Sequence, residues 1–310
     1  MKKIENAVVI GAGALGILFG RRMTEALGKE HVFFAADRDR VERYRQQGFY
    51  YNDKKCDLSF VPCDEKGKTA DLILFAVKYT GLAEAIESAR NFAGEDTLFL
   101  SVINGIVSER DIAAVYGEKG VLGCIAQGSD AVRENNRIYC SVEGLLQIGV
   151  RDQAQGEEDE RIQAVIDLLS RSGIDYRLPK DIYRQMWNKL MFNTGVNQVT
   201  TVFETNYGGV QAEGKARDTM VAAMKEVQTV AKYEGITLTD EEVEEWLAVL
   251  STLGAENMPS MRQDALAHRK TEVELFSGTI CSLGKKHGVP TPVNDFLYAR
   301  IKEMEQQWAK

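Results

Sequence analysis

The apolar positions of this chain follow two different rhythms. In the first half, short unbroken apolar runs alternate with stretches of helical spacing. Asn6–Ile10 is such a run, closed by Gly11, and Leu15–Ala26 after it has apolar residues at helical intervals. His31–Ala36, Leu72–Val77 and Thr97–Ile103 read as further buried strands, and Leu82–Phe92 and Ser108–Tyr116 as helices. Strand and helix in alternation predict a parallel sheet with right-handed crossovers. Beyond Gly120 the texture shortens: Arg137–Val142 and Leu145–Val150, joined at Glu143-Gly144, predict an antiparallel hairpin finishing the sheet. The segment Asp152–Glu160 reads as polar and exposed, and Arg161–Arg171 as a helix. From Asp181 onward the period is helical almost throughout, with helices predicted over Asp181–Thr200, Gly214–Glu234, Thr239–Leu250, Thr271–His287 and Asn294–Trp308. The fold class is α/β followed by all-α, with a boundary near Pro179 that divides residues 1–180 from 181–310.

Length agrees with two domains, since 310 residues exceed a comfortable single core. A net charge of −8 with no acidic tail excludes a nucleic-acid backbone as partner, and leaves room for a small anion where a few basic groups converge. The five cysteines have neither C-x-x-C nor metal-ligand spacing, so they read as reduced, mostly buried thiols of a cytosolic protein, with no metal site. No signal peptide opens the chain, and no apolar stretch approaches the roughly 20 residues of a membrane span. A soluble cytoplasmic protein with no membrane partner is expected.

The first candidate chemistry is Gly11-Ala12-Gly13-Ala14-Leu15-Gly16, a G-x-G-x-x-G that follows a strand and opens a helix. In that context Gly11 permits the tight turn, Gly13 admits a pyrophosphate to backbone N–H groups, and Gly16 lets the helix lie close on the sheet. At the end of the second strand, Asp37 would bond a ribose 2′-hydroxyl and favour NAD, while Arg38 or Arg40 would hold a 2′-phosphate and favour NADP. A solvated charged turn is the alternative for these arginines.

The second candidate lies in Trp187–Asn197. Lys189, Asn193 and Asn197 stand at i, i+4 and i+8 and form one helical stripe among apolar neighbours, the alternative being a solvent face that carries a Lys and two Asn by chance. Buried polar groups of this kind require partners, because leaving one unsatisfied costs about 1–3 kcal/mol. Ser260 with Gln263, and Thr271 with Glu274, each have capping-box spacing, and on pattern alone Ser260 is a helix cap. His31, His268 and His287 lie outside any polar cluster and read as structural or surface residues.

The order of Gly11–Gly16, Val77-Lys78, Asn104-Gly105, Trp187-Asn-Lys189-Leu, Ser260-Met-Arg-Gln-Asp264, Lys270-Thr-Glu272 and His287–Asn294 resembles the ketopantoate reductase family over nearly the whole chain. The resemblance implies a Rossmann-type dinucleotide-binding domain and a helical substrate domain with the active site between them. It implies NADP(H) as cofactor, with NAD(H) as the alternative that Asp37 keeps open. It implies reduction of a small 2-oxo acid, foremost ketopantoate to pantoate on the route to coenzyme A. Lys189 would be the general acid and Glu272 would bind near the substrate oxygen and keep Lys189 charged. Asn193, Asn197 and Ser260 would hold the substrate, and Lys78 and Asn104 would lie against the cofactor and the substrate's entry side. Read without the resemblance, Lys78 is a surface lysine. A homodimer is left open. The rival readings are a related two-domain dehydrogenase for another 2-oxo acid, a 3-hydroxy acid or a sugar phosphate, and a non-catalytic NADPH-binding redox sensor.

Ser260 and Glu272 are twelve residues apart, about 18 Å along one straight helix. Both can touch one small acid only if the helix breaks between them, near Arg269.

Overall fold

The computed structural model describes residues 3–65, 69–151 and 158–308. The chain divides into two compact units, Met1–Tyr183 and Arg184–Lys310.

The first unit is built on a five-stranded, wholly parallel sheet. Its strands are β1 (Ala7–Ile10), β2 (Val32–Ala36), β5 (Ser59–Pro62), β6 (Leu72–Phe75) and β7 (Leu98–Ser101), in the order β5-β2-β1-β6-β7. Every residue of β1, β6 and β7 is buried, which is why they read as unbroken apolar runs rather than alternating ones. Helices α1 (Ala14–Leu27), α2 (Arg38–Gln47) and α3 (Leu82–Ala89) lie on the connections β1–β2, β2–β5 and β6–β7, and α4 (Ser108–Tyr116) follows β7. The chain winds outward from β1 in one direction through β2 and β5, then returns and winds through β6 and β7 in the other. The strand order therefore reverses between β1 and β6, where sheets of this class form a ligand crevice at their carboxyl ends.

Two smaller sheets complete the unit. One has the order β4-β3-β10-β9, from β3 (Phe49–Tyr51), β4 (Lys54–Cys56), β9 (Val132–Glu134) and β10 (Arg137–Tyr139). The other has the order β12-β11-β8, from β8 (Gly123–Gln127), β11 (Leu145–Gly149) and β12 (Tyr176–Arg177). The expected hairpin of Arg137–Val142 with Leu145–Val150 does not form, because β10 and β11 belong to different sheets. The cause is local: the Asp130 carboxylate accepts from the N–H groups of Ser141 and Val142, and Val142 O accepts from Asp130 N. These bonds capture the chain after Tyr139 before it can turn back on itself. The expected exposed segment Asp152–Glu160 falls partly on residues 152–157, outside the described residues. Within it Asp159 is buried, contrary to expectation, because its carboxylate caps α5 (Glu160–Arg171) and pairs with Arg161.

The second unit is helical: α6 (Ile182–Val202, rooted in the first unit's last residues), α7 (Tyr207–Gln211), α8 (Lys215–Tyr233), α9 (Asp240–Thr252), α10 (Ser260–Leu266), α11 (Thr279–His287) and α12 (Pro292–Trp308). Between Met186 and Thr201 α6 is buried on nearly every side. It carries Asn188, Asn193, Thr194, Asn197, Gln198, Thr200 and Thr201 as buried polar residues, so the helix has little amphipathic contrast. On the side facing α9, Asn188 donates to Glu242 and accepts from Trp246 Nε1, and Arg184 pairs with Glu242 at 2.8 Å.

The capping boxes fall elsewhere than expected. Pro259, not Ser260, caps α10, and Ser260 is the first helical residue with no capping bond. Thr271 forms no box with Glu274: its hydroxyl oxygen accepts a long bond from Val273 N at 3.4 Å, while its own N–H and hydroxyl donate to Glu305 of α12. A true capping box occurs at Thr239 with Glu242, at the start of α9. The helix expected over Thr271–His287 begins only at Glu274, and as a π-turn over Glu274–Gly278 before the regular α11. Among the cysteines, Cys124 and Cys140 are buried, whereas Cys56, Cys63 and Cys281 are only partly so, and none is in a disulfide.

Candidate active site

At the switch point of the parallel sheet, the glycine-rich segment leaves β1 and enters α1. Gly11 has φ +111, a conformation L side chains rarely adopt, and a Cβ there would lie 2.5 Å from the Ala76 carbonyl oxygen. A Cβ on Gly16 would lie 1.9 Å from the Gly11 carbonyl oxygen, so the first turn of α1 sits directly on the strand end. Gly13 is different. Its φ of −74 and ψ of −174 suit any residue, and a Cβ there would meet only the Ala76 carbonyl oxygen at 3.5 Å, an ordinary contact. The protein's own fold does not require glycine at this position. The space it leaves open faces the start of α1, whose N-cap has no side-chain bond and whose first turn has no acidic residue. Free backbone N–H groups and the positive end of the helix dipole make this a cradle for an anion, and the residues present fit a dinucleotide's pyrophosphate.

Three other expected segments lie along the same carboxyl edge. Asp37 follows β2, Lys78 follows β6, and Asn104 follows β7, so they flank the glycine-rich segment in sheet order. Asp37 is the N-cap of α2: its carboxylate accepts from Arg40 N at 2.8 Å and pairs with Arg40 Nε at 3.1 Å. Arg38 is exposed and pairs with Asp64 at 2.9 Å. Lys78 is exposed and Asn104 half-buried.

One residue on this edge has no counterpart in the sequence reading. Arg133, in β9, donates from Nη1 to the carbonyl of Ala12 within the glycine-rich segment and from Nε to Asn135 O. Its guanidinium lies 5.2 Å from the Phe49 ring centroid. It therefore brings a fixed positive charge to the anion cradle from 121 residues away in sequence. The strand that carries it is exposed and polar, so no sequence pattern marks it.

In the second unit, Lys189, Asn193 and Asn197 all fall within α6 and form a stripe about 12 Å long. Asn193 and Asn197 are 9% and 5% exposed, and Lys189 is half-buried. No hydrogen bond joins the Asn193 or Asn197 amide to another described residue. Neither amide is sealed from solvent as a buried orphan would be. Two nearly buried amides thus stand beside a lysine without a bond to another described residue.

The helix does break between Ser260 and Glu272. It ends at Leu266, His268 takes φ +50, and Arg269 folds back so that its N–H donates to Asp264 O and its Nε to Asp264 Oδ1. Ser260 is exposed at the start of α10. Glu272 is half-buried on the segment that leads into the π-turn. That segment is tied to α6 by one buried bond, from Ser277 N to Gln198 Oε1 at 3.1 Å. Because the Ser277 N–H is spent on Gln198, the helix widens by one residue and Gly278 N donates to Val273 O. Gln198, fully buried, is a second residue that the sequence reading missed: it holds the Glu272 segment against the Lys189 helix.

Among the described residues no cluster of His, Cys, Asp and Glu could hold a metal ion, and no helix is long and apolar enough to cross a membrane. Comparison with known proteins places two family models on the chain. "Ketopantoate reductase PanE/ApbA" matches residues 7–153 and "Ketopantoate reductase PanE/ApbA C terminal" matches residues 181–305. The chain is 26% identical over 304 residues to the 2-dehydropantoate 2-reductase of Aquifex aeolicus, covering 96% of each. It is 26% identical over 309 residues to that of Lactococcus lactis, covering 96% of this chain and 97% of the other. Among solved structures, a PanE/ApbA family ketopantoate reductase from Ralstonia eutropha superposes with a TM-score of 0.84 at 22% identity, over 98% of this chain and 100% of that one. A D-mandelate dehydrogenase solved with NADH and anilino(oxo)acetate gives 0.84 at 24% identity, over 98% and 100%.

Proposed function

The chain belongs to the ketopantoate reductase family of oxidoreductases, and from that premise we propose that it reduces ketopantoate to pantoate with NADPH, using Lys189 as the general acid. The observation that carries this reading is the α6 stripe: a lysine beside two nearly buried amides that bond to no other described residue.

The bound nicotinamide supplies a hydride to C2 of the 2-oxo acid. The chain's residues manage the charge that this creates. As the carbonyl carbon becomes tetrahedral its oxygen becomes an alkoxide, and the Lys189 ammonium stabilises that oxygen and gives it a proton. Asn193 and Asn197 donate to the substrate's carboxylate and accept from its hydroxyl, and Ser260 is assigned to the same substrate. Glu272 binds near the oxygen end and favours the charged form of Lys189, since an adjacent carboxylate stabilises an ammonium. After product leaves, neutral Lys189 recovers a proton from water. Gly11–Gly16, Lys78 and Asn104 hold the dinucleotide along the sheet edge, with Arg133 supporting the glycine-rich segment.

The preference for NADPH is supported by the state of Asp37. Its carboxylate is occupied by Arg40 from its own helix, which weakens it as a ribose 2′-hydroxyl acceptor, and the adjacent Arg38 would exchange its exposed pair with Asp64 for a 2′-phosphate. A second reading, reduction of a bulkier 2-oxo acid, draws on the fold shared with D-mandelate dehydrogenase. The deciding experiment follows NADPH and NADH oxidation with ketopantoate and with benzoylformate. A higher kcat/KM for ketopantoate with NADPH is expected. A tenfold preference for benzoylformate, or for NADH, would overturn the corresponding part of the assignment.

A further inference from the structure

The loop between β7 and α4, residues 102–107, carries Asn104 and is clamped at its two ends by a pair of buried serines. Ser101 is 1% exposed and Ser108 is fully buried. Ile103 N donates to Ser101 Oγ at 3.3 Å, Ser101 Oγ donates to Ser108 Oγ at 2.9 Å, and Ser108 Oγ donates to Glu109 Oε2 at 2.9 Å. All donors in this chain point the same way, so its polarity requires an acceptor at the far end. Glu109 is that acceptor. It is 3% exposed, and among the described residues no cation reaches it at hydrogen-bond distance and no bond of good geometry is made to its second oxygen, Oε1.

We propose that Glu109 is a positioning residue for the reaction, which fixes the Asn104 loop through Ser108 and Ser101 and loosens it when its carboxyl takes a proton. The proposal rests on the reading that Asn104 acts at the active site. As a carboxylate, Glu109 accepts a charge-assisted bond from Ser108, roughly twice as strong as a neutral one, and each bond in the series polarises the next. The incoming proton settles on Oε1, the oxygen that the Ser108 hydroxyl does not engage. Oε2 then accepts only as a neutral carbonyl, and the clamp at both ends of the loop weakens.

The surroundings set where this happens. Burial pushes the Glu109 carboxyl up to about 7, against the stabilising N–H groups of Glu109 itself and of Cys124 and the Ser108 hydroxyl, and the Asp111 carboxylate adds to the rise. The Tyr183 phenol also faces it, with the Arg151 guanidinium 5.0 Å from that ring and Glu118 paired to Arg151 at 3.8 Å. The titration falls near neutrality, where cellular pH changes would reach it.

The test compares wild type with Glu109→Gln, Ser108→Ala and Asn104→Ala. Hydrogen exchange of the Ile103 amide in the cofactor-free protein should accelerate about threefold to tenfold between pH 8 and pH 6, beyond the intrinsic change, as the last bond of the series weakens from charged to neutral. Glu109→Gln should exchange at the fast rate at both pH values. In parallel, kcat/KM of wild type should fall by a similar factor over that range through KM, and Glu109→Gln should be low and flat. Ser108→Ala should match Glu109→Gln while keeping the carboxyl. A pH-independent Ile103 amide, or a Glu109→Gln enzyme with the wild-type profile, would overturn the proposal. Normal kinetics in Asn104→Ala would remove the reading beneath it, and the proposal with that reading.

Discussion

Gly13 and Gly16 stand three residues apart in one turn, yet alanine should do opposite things at the two positions. In Gly16→Ala the new methyl would sit 1.9 Å from the Gly11 carbonyl oxygen and 3.2 Å from Ala76 Cβ. Reaching an ordinary 3.4 Å separation requires a displacement of roughly 1.5 Å, and the atoms in the way are backbone rather than a flexible side-chain end. Overpacking of this kind costs about 1–3 kcal/mol, against a gain of about 0.5–1 kcal/mol for alanine over glycine inside a helix. The clash wins, and Gly16→Ala should be destabilised by about 1–2 kcal/mol. In Gly13→Ala the methyl has an ordinary contact at 3.5 Å and an allowed backbone. The cofactor-free protein should be unchanged, or steadier by about 0.4–1 kcal/mol through the loss of freedom in the unfolded chain. The methyl instead fills the anion cradle. Losing one or two N–H bonds to a charged phosphate costs about 1.5–3 kcal/mol, so NADPH should bind roughly 10- to 150-fold more weakly. Urea unfolding of the cofactor-free proteins measures the first quantity and titration calorimetry with NADPH the second. A Gly13→Ala protein that binds NADPH within twofold of wild type would show that the open space is not the cofactor's.

Lys189→Ala should lower kcat by about 10²–10⁴-fold with little change in NADPH affinity, and Lys189→Arg should not rescue it, since a guanidinium gives up its proton far less readily. Near-normal turnover in steady-state assays of Lys189→Ala would make the lysine structural. Glu272→Ala should lower kcat and raise KM, and the double variant with Lys189→Ala should be less than additive. Arg133→Ala should raise the Kd for NADPH several-fold while thermal unfolding of the free protein moves little, because the guanidinium is held at an exposed strand; an unchanged Kd would limit Arg133 to the apo fold. Glu109 also predicts a pH dependence of stability. Its folded value of about 7 lies above its unfolded one, so the contribution is fully present below pH 4.5 and is lost as pH rises through 7, amounting to about 3 kcal/mol. Glu109→Gln should remove that slope from denaturant midpoints measured between pH 5 and 8, and an identical slope in the variant would contradict it.

The parts of the fold legible in sequence are those whose burial is complete. The strands beginning at Ala7, Val32, Leu72 and Leu98 are unbroken apolar runs because nearly all of their residues are buried, those pointing to either face alike. The strands from Phe49 to Pro62 are three or four residues long, half-exposed and interrupted by Asn52-Asp53 and Lys54-Lys55, so no period emerges from them. The helix over Arg38–Gln47 was hidden for another reason: eight of its ten residues are polar and only Val41 is buried. In the candidate site, the glycine fingerprint and the lysine stripe are local patterns and could be read directly. Arg133 and Gln198 act on segments 121 and 79 residues away, and nothing near them in sequence betrays the target. Thr271 has the spacing of a capping box with Glu274, but its backbone N–H, which the box needs for Glu274, goes to Glu305 on α12 instead.

The π-turn at Glu274–Gly278 has a bearing on how chains of this kind are compared. A turn of that width amounts to one residue more than a regular helix would hold, and one residue corresponds to about 100° of rotation about the axis. Removing a single residue there, with the Gln198 amide replaced so that Ser277 could rejoin the helical ladder, would leave a smooth helix with Glu272 swung a quarter-turn or more away from its present bearing. An ancestral one-residue insertion could therefore have re-aimed this carboxylate without altering any residue in α11. Alignments that run through the segment without a gap would then match Glu272 to the wrong column in any chain whose helix is regular. An acidic residue offset by one in such a chain is the equivalent group, displaced in number but not in direction.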